Sequence, residues 1–268
     1  MKNVLVLDAS MRKGYTGALA QEAAKRLSTS YNVETVCLRD ENIETCKGCC
    51  LCLSEGSGRC PLREDGARAI LQKMTAAQGI VFLVPNYSLQ IPGKLKTLLD
   101  RLAYVFHRPR LFHTVFMPLT VQGVYGGKDI NKYLNKVFRF WGARTVKGTV
   151  LPGGIYPKDI GEKLFTAKNT GKLDKALREF DREMAAVKPK KPSLFQVAVF
   201  RSTRSAMRYF DDTLKPDKEY YRKNGWYEAA YYYPVRLNLL KKTVGYLIDR
   251  QMKAAAKKAK ANQKAAAS

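Results

Sequence analysis

Short aliphatic runs and amphipathic stretches take turns along the first 150 residues. Val4–Leu7 is an unbroken aliphatic run closed by Asp8, the pattern of a strand buried on both faces. From Thr16 to Ser28, Leu19, Ala23 and Leu27 recur at helical spacing. Val33–Leu38 reads as a second strand, and Arg63–Ala77 as a helix with Ala67, Ile70, Leu71 and Met74 inward. Gly79–Val84 is a third strand, Lys94–Phe106 a helix and Val115–Val121 a fourth strand. Asp129–Trp141 is a helix and Thr145–Val150 a fifth strand.

Strands that alternate with helices predict an α/β fold, a doubly wound parallel sheet with helices on both faces. Five strands without a sixth favour the flavodoxin-like order 2-1-3-4-5. The pattern changes at Pro152-Gly153-Gly154. A helix is expected over Lys172–Val187, closed by Pro189 and Pro192. Ser193–Phe210, an aromatic stretch Tyr220–Tyr233 and a long helix from Val235 to Ala261 follow. The expected organisation is a sheet domain over residues 1–150, with a cysteine-rich loop over 41–62. A mainly helical C-terminal extension with a basic tail fills 151–268, and Ala254–Ser268 is expected to fray.

Composition adds one unusual feature. Of 268 residues 46% are hydrophobic and 26% charged, which excludes wholesale disorder and fibrous classes. The net charge, however, is +25. Residues 1–150 carry 22 Lys/Arg against 11 Asp/Glu, and residues 151–268 carry 26 against 12. The excess is diffuse and lies in no nucleic-acid-binding motif, so nucleic acid is not the expected partner, although a basic nucleic-acid-binding protein is the rival reading. An anionic cofactor or an acidic protein fits better. The first apolar run is too short for a signal peptide, and the uncharged windows Met74–Gly93 and Leu111–Gly127 contain Pro and Gly. A cytoplasmic protein is expected.

Ligands of such sheets sit at the carboxyl ends of the strands, which singles out three loops. The first carries Ser10, Arg12, Gly14, Tyr15, Thr16 and Gly17 ahead of a helix N-terminus, a site for an anion such as a terminal monophosphate. The second, Pro85-Asn86-Tyr87-Ser88 through Gly93, is uncharged and suits a planar ring. The third, Gln122 to Gly127, offers Gly123, Gly126 and Gly127 for close backbone approach. For each loop alone a purely structural turn or cap is the competing reading.

Five of six cysteines fall between Cys46 and Cys60. Cys46, Cys49, Cys52 and Cys60 follow a C-x2-C-x2-C-x7-C spacing. Four thiolates at this spacing suit a [4Fe–4S] cluster, zinc, or no metal, and the three readings stay open. Cys50 reads as a bystander and Cys37 as a small core residue.

The order of these motifs carries a resemblance. Ser10-x-Arg12-Lys13, Cys46-Lys47-Gly48-Cys49-x-x-Cys52, Pro85-Asn86-Tyr87, Ile91-x-Gly93-x-Leu95-Lys96 and Asp100-Arg101 resemble the NADPH-dependent FMN reductase and iron–sulfur flavoprotein families. The resemblance covers residues 1–150. It implies noncovalent FMN, with phosphate in the first loop and isoalloxazine against the other two, and NADPH or NADH as electron donor. It also points to the [4Fe–4S] cluster. Ala9 and Met11 stand where the family has Gly and Pro, and Ser88 where it often has Trp.

The implied function is an FMN-dependent oxidoreductase that passes electrons from NAD(P)H to a small molecule or an acidic protein. An FMN-holding electron carrier or redox sensor is the alternative. No catalytic acid or base is singled out. The Tyr220–Tyr233 aromatics read as packing or as a wall over the flavin. The last helix places Leu237, Leu240, Val244, Leu247 and Met252 near one face. It is expected to cover a core or a homo-oligomer interface and not to contact a membrane. His107 and His113, beside Arg108 and Arg110, read as surface residues.

Overall fold

A computed structural model of the chain describes residues 1–154, 160–186, 190–209 and 212–267. Two compact units divide it. The first comprises Met1–Lys47 and Leu62–Pro189, the second Gly48–Pro61 and Lys190–Ser268.

The first unit is built on a parallel sheet. β1 (Asn3–Asp8) lies between β2 (Asn32–Cys37) and β3 (Gly79–Pro85), and β4 (Val115–Gln122) follows β3. The outer position is shared by β5 (Arg144–Thr145) and β6 (Thr149–Pro152), which both pair with β4. The order is thus 2-1-3-4-5, with the fifth strand interrupted. The cause lies in β4. Gly148 turns at φ +72, and a Cβ there would lie 1.8 Å from the Pro118 carbonyl oxygen. Pro118 itself has no N–H to give a ladder. The expected continuous strand over Thr145–Val150 therefore breaks around Gly148.

β3 is buried along its whole length, as the unbroken run Gly79–Val84 requires. Helices α1 (Tyr15–Leu27), α3 (Gly66–Ala76), α4 (Gly93–Arg101) and α5 (Gly127–Phe140) connect the strands. Leu19, Ala20, Ala23 and Leu27 of α1 pack in one core with Val4, Val6, Val81 and Leu119 of the sheet. Helices α6 (Ile160–Leu164) and α7 (Ala167–Ala185) also belong to this unit. Leu173, Leu177, Phe180 and Met184 of α7 join the sheet core. The expected end of this helix at Val187 and Pro189 lies outside the described residues.

The second unit contains α2 (Leu51–Ser54), α8 (Leu194–Tyr209), α9 (Lys215–Lys223) and α10 (Leu239–Ala267). The Tyr220–Tyr233 aromatics form its core. Tyr221 meets Trp226 at 5.0 Å between centroids, Trp226 meets Tyr232 at 4.8 Å, and Tyr232 meets Phe200 at 4.5 Å. All three are edge-to-face pairs, the geometry that ring quadrupoles favour. Burial pushes the Tyr232 phenol up to about 12, and raises Tyr221 and Tyr231 well above the usual range. α10 continues to Ala267 where fraying was expected, because its last turns are rich in Ala, the best helix former. Phe210 lies outside the described residues. No helix among the described residues is long and apolar enough to cross a membrane.

Candidate functional site

The carboxyl ends of β1, β3 and β4 carry the three loops singled out above. Asp8 ends β1 and is 1% exposed. It organises the first loop. Its Oδ1 accepts from the Ser10 N–H at 2.9 Å and the Ser10 hydroxyl at 2.6 Å. Its Oδ2 accepts from Arg39 Nη1 at 2.7 Å. Arg39 also donates to Cys37 Sγ at 3.3 Å. The hydrogen bond to Asp8 is the main reason that the Arg39 guanidinium is raised further. Cys37 is half-buried beside this pair, and burial pushes its thiol up.

A buried carboxylate beside an anion loop would repel the anion, so the Arg39 contact offsets a charge that the loop cannot otherwise tolerate. Ser10 directs both donors at Asp8. What faces outward in the first loop is Arg12 and Lys13, both exposed, and the start of α1. α1 has an extended Gly14 as N-cap, and among the described residues no side chain caps it. Its first N–H groups are thus open to an anion. Thr16 is buried, and Gly17 brings α1 close to Asp8, where an added Cβ would lie 3.4 Å from Oδ2. Tyr15 turns inward against Gly153 and Gly154, and its buried hydroxyl has no hydrogen-bond partner among the described residues.

In the second loop Pro85 closes β3, and the Asn86 N–H donates to the Val121 carbonyl at 2.8 Å. Tyr87 and Gln90 then pair through both backbone bonds, 3.0 and 2.9 Å. Between them Ser88 and Leu89 have φ of +50 and +65. This is a two-residue hairpin of the type that normally uses Asn-Gly, so two non-glycine residues hold a strained conformation beside the site.

The third loop is set by a residue that sequence reasoning did not single out. Gln122 Nε2 donates to the Val124 carbonyl at 3.0 Å, and its Oε1 accepts from the Gly127 N–H at 2.8 Å. Asn86 Nδ2 donates to the Tyr125 carbonyl at 2.5 Å, which ties the second loop to the third. Gly126, at φ +97, fits against Leu89, and an added Cβ would lie 2.9 Å from Leu89 Cδ2. Gly123 faces open space.

The loops leave Met11, Tyr87, Leu89, Val124 and Tyr125 exposed. Apolar side chains left in solvent at the mouth of a sheet suit the face of a planar ring. Beside them Asn86 Oδ1 is buried without a hydrogen-bond partner among the described residues. A buried acceptor without a donor is costly unless a ligand supplies one, and the imide N–H of a flavin is such a donor. Uncapped N–H groups, an apolar rim and an orphaned acceptor together fit FMN.

The cysteines are placed differently. Cys46 belongs to the first unit, and Cys49, Cys52 and Cys60 to the second. None of the six Cys is joined in a disulfide among the described residues. Positive φ at Gly48, Cys50 and Gly56 lets this segment reverse direction. Cys50 is turned towards its own backbone, 3.5 Å from the Gly48 carbonyl. Among the described residues no three His, Cys, Asp or Glu side chains come together as a metal site. The donor set nonetheless has the chemistry of an iron–sulfur ligand set.

A buried ion pair pins the approaches to this segment. Arg101 pairs with Asp65, and both side chains are almost fully buried. Arg101 also donates to the carbonyls of Glu44, at 3.2 Å, and Leu62, at 2.5 Å. Asp65 in turn accepts from the Glu44 N–H at 3.0 Å and caps α3. Arg108, beside His107, is buried over the Tyr104 ring at 4.9 Å.

A doubly wound parallel sheet whose carboxyl edge suits a flavin defines a flavin oxidoreductase of flavodoxin-like fold. The profile of the NADPH-dependent FMN reductase family matches residues 2–155, and the chain belongs to that family. An iron-sulfur flavoprotein of Archaeoglobus fulgidus is 24% identical over 238 residues, 84% of this chain and 100% of the relative. The quinone reductase of Escherichia coli K12 is 24% identical over 106 residues, 40% of this chain and 56% of the relative, so the match spans little more than half of that enzyme. Among solved structures, RosB with bound 8-demethyl-8-formylriboflavin-5'-phosphate superposes with a TM-score of 0.58 at 16% identity. That superposition covers 89% of this chain and 92% of RosB, and it shows a shared fold.

Proposed function

We propose that the protein is an NAD(P)H-dependent FMN oxidoreductase that passes electrons on to a quinone-like small molecule or an acidic protein. The supporting observation is the tied pair of loops after β3 and β4, with buried Asn86 Oδ1 and the exposed rim of Tyr87, Leu89 and Val124. The first turn of α1, with Arg12, Lys13 and Thr16, is assigned to the phosphate. Asn86 orients the ring edge through its unused acceptor, Gly123 admits it closely, and Gly126 seats the third loop against Leu89. Bound FMN would supply the chemistry there, acceptance of a hydride from the nicotinamide and release of electrons to an acceptor. The residues bind and orient, and no side chain is required as an acid or base.

Cys46, Cys49, Cys52 and Cys60 are assigned to a [4Fe–4S] cluster, which would let electron pairs leave singly. The sequence spacing and the iron-sulfur flavoprotein from Archaeoglobus fulgidus support this. A cysteine cluster of metal-ligand spacing also fits a reducing cytoplasm.

Anaerobic purification followed by iron and sulfide analysis tests the cluster. About four irons per chain are expected. Less than one, after reconstitution with iron and sulfide, removes the cluster from the account. The visible spectrum of the same sample reports the flavin, and a preparation that takes up no FMN removes the oxidoreductase reading.

A further inference from the structure

The second unit has an exposed apolar face for which the flavin chemistry has no use. α8 and α10 pack side by side. Arg201 lies against Gly245, and Ser205 donates to Asp249 at 2.8 Å. Both pairs are separated by 44 residues, so the helices run parallel in one register. That register sets the first turns of the two helices beside each other. There Leu194 is 39% exposed, Phe195 65%, Leu239 80% and Leu240 61%. Tyr246 and Leu247, further along α10, are 64% and 48% exposed. Scattered apolar residues in solvent are ordinary, but this many on one pair of helices mark a contact surface.

The surrounding charge is of one sign. The sequence contains no Asp or Glu from Met184 to Phe210, or from Ala229 to Ile248. Lys190, Lys191 and Lys242 are exposed at this end, and Arg250, Lys253 and Lys257 continue the exposed face of α10. The one acid of α10, Asp249, is held by Arg201, Arg204 and Ser205 of α8. It is already neutralised.

We propose that the paired first turns of α8 and α10 dock on an anionic lipid surface. Leucine and aromatic side chains enter the headgroup boundary, and the flanking lysines meet lipid phosphates. A symmetric second copy fits poorly, since it would set an acid-free basic face against itself. Protruding single side chains also suit a fluid surface, which needs no matching groove. The sequence pattern had assigned this helix to a core or a homo-oligomer interface and not to a membrane. The structure buries Leu237 and Ala256 but leaves Leu239, Leu240, Tyr246 and Leu247 outside.

The test uses the full-length protein and sedimenting vesicles of phosphatidylcholine, with and without phosphatidylglycerol. Partitioning at least about tenfold stronger on the anionic vesicles is expected, falling steeply with salt. The paired substitution Leu239→Ser and Leu240→Ser should lower it about tenfold. Both positions are mostly exposed, so far-UV circular dichroism should be unchanged. Absent binding of the wild type, or unchanged binding of the paired variant, overturns the proposal. So does light scattering that shows an oligomer which the same pair dissociates, because a second copy is then the occupant. Binding to polyglutamate as tight as to vesicles, and insensitive to the leucine pair, also overturns it in favour of an acidic protein.

Discussion

Asp8 is a buried acid in a place that the proposed chemistry reserves for an anion, and Arg39 makes it tolerable. Arg39→Leu should therefore weaken FMN binding by about tenfold or more, since it leaves the carboxylate uncompensated beside the phosphate loop. Adding Asp8→Asn should restore most of the loss. Fluorescence titration of FMN reads both, and an unchanged affinity in Arg39→Leu would contradict the role. The sequence made Ser10, Thr16 and the glycines legible, because strand-end loops with hydroxyl and Gly content carry their own signal. It did not make Arg39 legible. Arg39 lies 31 residues beyond Asp8, and only the pairing of β1 with β2 brings them together. Gln122 was hidden for a similar reason, since a glutamine that braces its own loop looks like any polar loop residue.

At the scale of elements, the hairpin after β3 is strained and the cysteine segment is pinned. Ser88→Gly removes a positive-φ penalty and should stabilise the first unit by about 1 kcal/mol in denaturant unfolding. Loss of stability would mean that the Ser88 side chain makes a contact worth more than the strain. Arg101→Ala strands the Asp65 carboxylate in a buried site and should cost roughly 3–5 kcal/mol. Hydrogen exchange at Glu44 and around Leu62 should rise with it, and unchanged protection there would contradict the pinning.

The aromatic core of the second unit gives a pH signature. Burial raises Tyr232 from 10.0 to about 12, so folding favours the neutral phenol. Its stability contribution is complete below about pH 10 and is lost as pH rises towards 12. Phenolate absorbance and loss of ellipticity should therefore rise together in that window. Phenolate appearing near pH 10 with the fold intact would place these rings in solvent. Strand and helix positions were mostly legible from periodicity. The split of the fifth strand was not, because it follows from the Pro118 carbonyl meeting Gly148 across the sheet.

For the molecule as a whole, chain order and compact units disagree, and this was the least legible feature. Gly48–Pro61 groups with helices that begin near residue 190, and α7 groups with the sheet. No local pattern encodes a grouping across more than a hundred residues. The net charge of +25 was legible as a number, but its use was not. In the second unit it surrounds an exposed apolar face, which only the exposure of Leu239 and Leu240 reveals. The central claim remains the flavin site at the carboxyl edge of the sheet. It is tested most directly by mixing the FMN-loaded protein with NADPH, and separately with NADH, under argon while the flavin absorbance is followed. Bleaching within seconds by at least one nucleotide, and recovery on adding a quinone, is the predicted result. A flavin that stays oxidised with both nucleotides would contradict the account and leave an FMN-holding carrier in its place.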